Sequence, residues 1–145
     1  MKIPSIHLLV LILISVIFTS ACAQAQPVTV ENAWARPTLS GDNGAVYFEI
    51  YNPGQREETL LGASSQVAEK AEIHESAMDS AGTMSMHPMH GVAVPAGETI
   101  LFEPGSLHVM LVSLNRNFQV GDTFQLTLTF ENSGEQIIDV KVKQP

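Results

Sequence analysis

The sequence predicts an all-β domain of the Greek-key sandwich or barrel class, and three observations predict it. Short runs rich in β-branched and aromatic residues recur at roughly ten-residue spacing. Clusters of Gly, Pro, Asn and Ser separate them. No long stretch shows the 3.6-residue apolar period of a helix.

In chain order, Val28 to Arg36 (VTVENAWAR) is the first candidate strand. Ala45 to Asn52 (AVYFEIYN) is the second, and it stops at the turn Asn52-Pro53-Gly54. Thr59 to Ser64 and the weaker Ala68 to His74 (AEKAEIH) follow, then a short extended piece from Met84 to Met89. Glu98 to Phe102 lies between two turns, Pro95-Ala96-Gly97 and Glu103-Pro104-Gly105-Ser106. Leu107 to Leu114 (LHVMLVSL) comes next, and Thr123 to Glu131 (TFQLTLTFE) alternates cleanly. Gly134 is expected to break the chain before a last strand, Gln136 to Val142. Eight or nine strands without repeats or linkers make one domain, residues 26–145, behind an N-terminal segment, 1–25.

That segment reads as an export signal. Lys2 supplies the positive charge, and Leu8 to Phe18 is an eleven-residue apolar run broken only by Ser15. Such a run is too short to span a bilayer. Two cleavage readings compete. Thr19-Ser20-Ala21-Cys22 resembles a lipobox, with Thr19 departing from the usual aliphatic residue, and Cys22 would carry the lipid anchor. Cleavage after Ala23-Gln24-Ala25 would instead release a free exported protein. The position of the sole cysteine favours the lipoprotein and a periplasmic, membrane-anchored location.

Beyond Cys22 there is no thiol, which excludes disulfides, thiolate metal sites and a cysteine nucleophile from the domain. The chain has 7 Lys+Arg and 15 Asp+Glu; loss of Lys2 with the signal leaves 6 − 15 = −9. That balance argues against a nucleic-acid partner and suits weak attraction of cations, although a merely solvated acidic surface explains it equally well.

Methionine and histidine are unevenly placed. His74, Met78, Met84, Met86, His87, Met89, His90, His108 and Met110 lie within 37 residues, and the rest of the chain after Cys22 has neither type. On a strand over Leu107 to Leu114, His108 and Met110 share one face while Leu107, Val109 and Leu111 share the other. One methionine in a sandwich is ordinarily core filler, and one histidine is more often a hydrogen-bonded residue than a ligand. Their clustering points instead to a metal. Neutral thioethers bind hard cations poorly and favour Cu(I), and imidazole accepts copper in either oxidation state. A Met/His site without Cys also suits an oxidising compartment.

The spacing resembles a known family, the periplasmic copper chaperones of the PCu(A)C type, whose pattern is H(M)-x10-M-x21-H-x-M. His74, Met86, His108 and Met110 fall at its intervals, with Glu75 in place of the optional methionine. Trp34-Ala35-Arg36, Gly44-Ala45-Val46-Tyr47 leading to Asn52, Ala71 to Glu75, and Pro104 to Leu111 also resemble the family, so the likeness covers about residues 30 to 142. The resemblance implies a cupredoxin-like β-sandwich that binds one Cu(I) through His74, Met86, His108 and Met110. It implies a metallochaperone, not an enzyme, delivering copper to the copper A centre of cytochrome c oxidase subunit II or to another copper protein. Copper tolerance or storage without delivery requires the same ligands and stays open. A blue-copper carrier is excluded by the missing Cys ligand, and a hydrolase by the lack of a placeable triad.

The family usually reads M-x-M-R-P-V-D-G where this chain reads Met84-Ser85-Met86-His87-Pro88-Met89-His90-Gly91. Met84 is expected beside Met86 on an extended piece. His87, Met89 and His90 are extra, and with Met78 nearby they form a candidate weaker site for Cu(II). Exposed side chains in a turn would account for them equally.

Overall fold

Alternating small apolar and polar residues leave each strand one face to bury, and a curled sheet buries those faces against one another. The computed structural model describes residues 26–78, 80 and 82–144. The proposed signal, Cys22 and both cleavage sites lie outside them. Among the described residues ten strands form one sheet: β1 (Thr29–Ala35), β2 (Gly44–Tyr51), β3 (Glu58–Ser64), β4 (Ala68–Met78), β5 (Met84–Pro88), β6 (Val92–Val94), β7 (Thr99–Phe102), β8 (Leu107–Leu114), β9 (Thr123–Phe130) and β10 (Gly134–Val142).

The strand order is β5-β4-β8-β7-β2-β1-β10-β9-β3-β6, and further pairings of β3 with β4 and β8 with β2 close it into a barrel. Most neighbours are antiparallel, but β1 runs parallel to β10 and β7 to β8. This is the all-β, Greek-key barrel expected from the sequence. Its interior is packed with Val46, Phe48, Ile50, Leu60, Ile73, Val109, Leu111, Leu126, Leu128 and Val140, all within the core cluster.

Three boundaries differ from the sequence reading. β6 was not anticipated; Val92 and Val94 are buried and the strand pairs with β3. β10 begins at Gly134 rather than after it, because that glycine, at φ 75°, opens the hairpin from β9 and pairs with Phe130. β4 continues four residues past His74 to Met78.

That last extension shapes the site. β4 pairs with β8 only from Ala68 to Glu75, whereas Ala77 and Met78 pair with β5 alone. The β4–β5 hairpin therefore overhangs the end of β8, and β5 is a sheet edge with one partner.

Candidate metal centre

The turn preceding β8 sets the site's position. Ser106 N donates to Glu103 O at 3.1 Å, and Gly105 has φ 86°, the left-handed value that a type II turn requires at its third position. The turn presents the Ser106 carbonyl to two donors, Ser76 N of β4 at 3.1 Å and His108 Nδ1 at 3.1 Å. A carbonyl only accepts, so Nδ1 carries the proton and the neutral His108 ring keeps its lone pair on Nε2.

On β8, Val109 and Leu111 turn into the core, which sends His108 and Met110 to the outer face. The antiparallel register then assembles that face across three strands. His74 lies opposite His108, and Glu72 opposite Met110. On the other side of β4, Pro88 lies opposite His74, Met86 opposite Ser76 and Met84 opposite Met78. Directly opposed residues share a face, so His74, His108, Met110, Met84 and Met86 all project from the same side of the sheet.

The two histidines meet. Their ring centroids are 5.9 Å apart at 50°, a separation that two bonds of about 2 Å from ring nitrogens to one ion would span. Although they face away from the core, His74 is only 7% exposed and His108 only 4%. An aromatic row accounts for part of this cover. Tyr47 sits 6.4 Å from His108, and Trp34 sits 4.7 Å from Tyr47.

His74 Nε2 donates to Glu72 Oε2 at 3.1 Å. Its Nδ1 is buried and is the one such side-chain atom among the described residues without a hydrogen-bond partner. An orphaned buried ring nitrogen is costly unless something coordinates it. A histidine that gives one N–H to a carboxylate and keeps its other nitrogen without a hydrogen-bond partner has the arrangement of a metal ligand. The donor set thus fits a soft or borderline cation.

The thioethers are less converged. Met110 is half-buried on the histidine face, one strand position pair along from His108 and diagonal to His74, about 7–8 Å away at the backbone. Met86 is 59% exposed on β5. It is diagonal to His74 but two strands from His108, about 12 Å between backbones on a regular sheet. His74, His108 and Met110 are brought together; Met86 flanks them from the edge.

The remaining histidines and methionines divide differently from the sequence expectation. Met89 packs half-buried against the core. His87 lies opposite Glu75, on the face away from Met86, and its Nε2 is 2.9 Å from Ser85 Oγ. Met78 is on the Met86 face and not beside His87. His90 is exposed at the bend after β5. Within the candidate accessory set, His87 and His90 are thus exposed and Met89 is half-buried. Sequence reasoning missed Glu72, Ser106 and Tyr47. Their signal was positional: Glu72 and Ser106 each stand two residues before a histidine, and Tyr47 two after Ala45, the residue paired with Met110.

Comparison with known proteins places the chain. Residues 28–142 match the family model described as "Putative lipoprotein LpqE-like". A relative from Leifsonia xyli subsp. xyli, "Putative lipoprotein Lxx21020", is 29% identical over 120 residues, 83% of this chain and 72% of the relative. A solved structure described as "Copper-bound PCuAC domain from PmoF2" superposes with a TM-score of 0.69 at 26% identity, covering 83% of this chain and 96% of that one. The Cu(I) form of DR1885 from Deinococcus radiodurans gives 0.62 at 30% identity, over 85% and 83% of the two chains. The barrel is the cupredoxin-like fold of these domains, and the chain belongs to the LpqE-like family of PCuAC proteins.

Proposed function

We propose that this protein is a Cu(I) carrier that binds one ion through His74, His108, Met110 and Met86 and passes it on by ligand exchange. The observation that carries this reading is the facing histidine pair. Each ring has one nitrogen held by an oxygen acceptor, Glu72 for His74 and Ser106 for His108, which leaves the other free to coordinate. Two imidazoles and two thioethers are all neutral, so bound Cu(I) keeps its single charge and the thioethers disfavour divalent competitors. The likeness to PCuAC domains described with copper and Cu(I) supports the same assignment.

Exposure favours delivery over storage. Met86 stands at the solvent edge, where an acceptor's ligand can take its place while the buried histidines and half-buried Met110 retain the ion. The copper A centre of cytochrome c oxidase subunit II is the proposed acceptor, and sequestration without transfer is the competing outcome. The family and relative named as lipoproteins support export and an anchor at Cys22, which would hold the carrier at the membrane beside such an acceptor.

X-ray absorption of the Cu(I)-loaded protein tests the ligand set, with two nitrogen and two sulfur neighbours expected. A spectrum without sulfur would refute it. Mixing the loaded protein with an apo subunit II copper domain tests delivery: the acceptor's copper A absorption is expected, and its absence despite tight Cu(I) binding would leave storage.

A further inference from the structure

Three thioethers line the β4–β5 overhang. Met78, Met84 and Met86 are 67%, 49% and 59% exposed, while the other described methionines, Met89 and Met110, are half-buried. All three share one face. Met78 is directly opposite Met84, about 5 Å between Cβ atoms; Met84 and Met86 are two apart on β5, about 6–7 Å; and Met86 is diagonal to Met78, about 7–8 Å. The triangle is small enough for three flexible side chains to close on one ion.

Packing gives no reason for these residues. Ala77 and Met78 have no β8 partner, none of the three methionines belongs to the core cluster, and apolar side chains on an edge strand are an aggregation hazard. Solubility alone would favour lysine or threonine there. Thioethers on a face that runs directly to His74 share one property the alternatives lack, an affinity for soft cations.

We propose that Met78, Met84 and Met86 form a second, all-thioether site for a soft monovalent cation, Cu(I), at the tip of the hairpin. The site is solvent-facing and has no imidazole, so it is weaker than the histidine site and exchanges faster. It shares Met86 with the ligand set proposed above and rests on that reading only through that residue. The shared methionine makes the trio a point of entry and exit, because an ion moving between the two sites keeps one sulfur throughout.

Titration with Ag(I), a redox-inert analogue of Cu(I), tests this on protein labelled with 13C at the methionine methyls. A first step is expected to move the His74 and His108 ring signals. A second, weaker step, in which a second ion draws Met86 away from the first, is expected to move the Met78 and Met84 methyls while the core-packed Met89 methyl stays still. In a Met78→Leu/Met84→Leu variant the second step should vanish and the first keep its midpoint. Leucine preserves volume and apolar character, so the fold survives, and a purely hydrophobic role for these residues would survive too. Stationary Met78 and Met84 methyls, or a second step that persists in the double variant, would overturn the proposal. A first step lacking the histidine signals would instead defeat the four-ligand reading, with the thioether step still read from its own methyls.

Discussion

Replacing Glu72 is the sharpest probe of how the histidine pair is prepared for metal. Its carboxylate accepts from His74 Nε2 at 3.1 Å, fixing the tautomer so that the buried, partnerless Nδ1 holds the lone pair. Orienting partners of this kind are typically worth 10–100-fold in metal affinity. The Glu72 side chain is 43% exposed, and water screens its charge, so the low end applies. Glu72→Ala is expected to weaken Cu(I) binding about tenfold, equivalent to about 1.4 kcal/mol. Glu72→Gln keeps an acceptor oxygen without the charge and should lose less. Glu75→Gln, on the exposed opposite face of the same strand, is the control and should change nothing. Competition against a chromophoric Cu(I) chelator at fixed pH measures all three. If Glu72→Ala left affinity unchanged, the carboxylate would not be orienting the ring. If it tightened binding, Nε2 would be the coordinating atom and Glu72 its competitor, reversing the assignment of the two nitrogens.

Other perturbations follow from the same geometry. Met110→Leu should cost about tenfold in Cu(I) affinity, about 1.4 kcal/mol, and Met86→Leu less, since Met86 must reach in from the edge; equal affinities across wild type and both variants would refute the ligand set. Dilute peroxide should convert Met78, Met84 and Met86 to sulfoxides before Met89 and Met110, and peptide mass spectrometry should find Cu(I) present during treatment slowing the reaction at Met86. The buried Glu58 carboxylate accepts from Thr59 N, from Asn132 N and Nδ2, and from Ser133 N and Oγ. Burial alone would raise its pKa, but the Ser133 hydroxyl and the Asn132 and Thr59 donors outweigh burial and hold it below the ordinary 4.5. Its contribution to stability is thus complete above that value and is lost as pH falls through the lower folded-state pKa. Glu58→Ala should cost about 2 kcal/mol at neutral pH by leaving those donors unpaired, and denaturant melts should show less acid destabilisation than in wild type.

Much of the barrel was readable because its strands follow simple alternation. β9 buries every second residue from Phe124 to Phe130, and Leu107 to Leu114 needed no adjustment at either end. Two features resisted. β6 is only three residues long, and a strand that short carries no period to detect. The end of β4 has Glu75, Ser76 and Ala77, residues without β preference, and owes its extension to pairing with β5 rather than to propensity. At the site, the intervals between His74, Met86, His108 and Met110 were visible in one dimension. The depth of each residue was not. Outward-facing histidines would ordinarily be solvated; these are buried in part because Tyr47 and Trp34, from strands far away in sequence, extend an aromatic row beside them.

The contrast in depth fits the carrier role proposed above. Ligands held by the barrel resist removal, because moving His108 breaks its bond to Ser106 and disturbs β8, whose alternate residues build the core. Met86 has no such ties. It sits on a strand with one neighbour, beyond which the hairpin projects into solvent, so it can swing without disturbing a core residue. On the proposed ligand set, release would start where rearrangement costs least: an incoming ligand would displace Met86, the two buried histidines and half-buried Met110 would hold the ion until further acceptor ligands bind, and the barrel itself would not have to open.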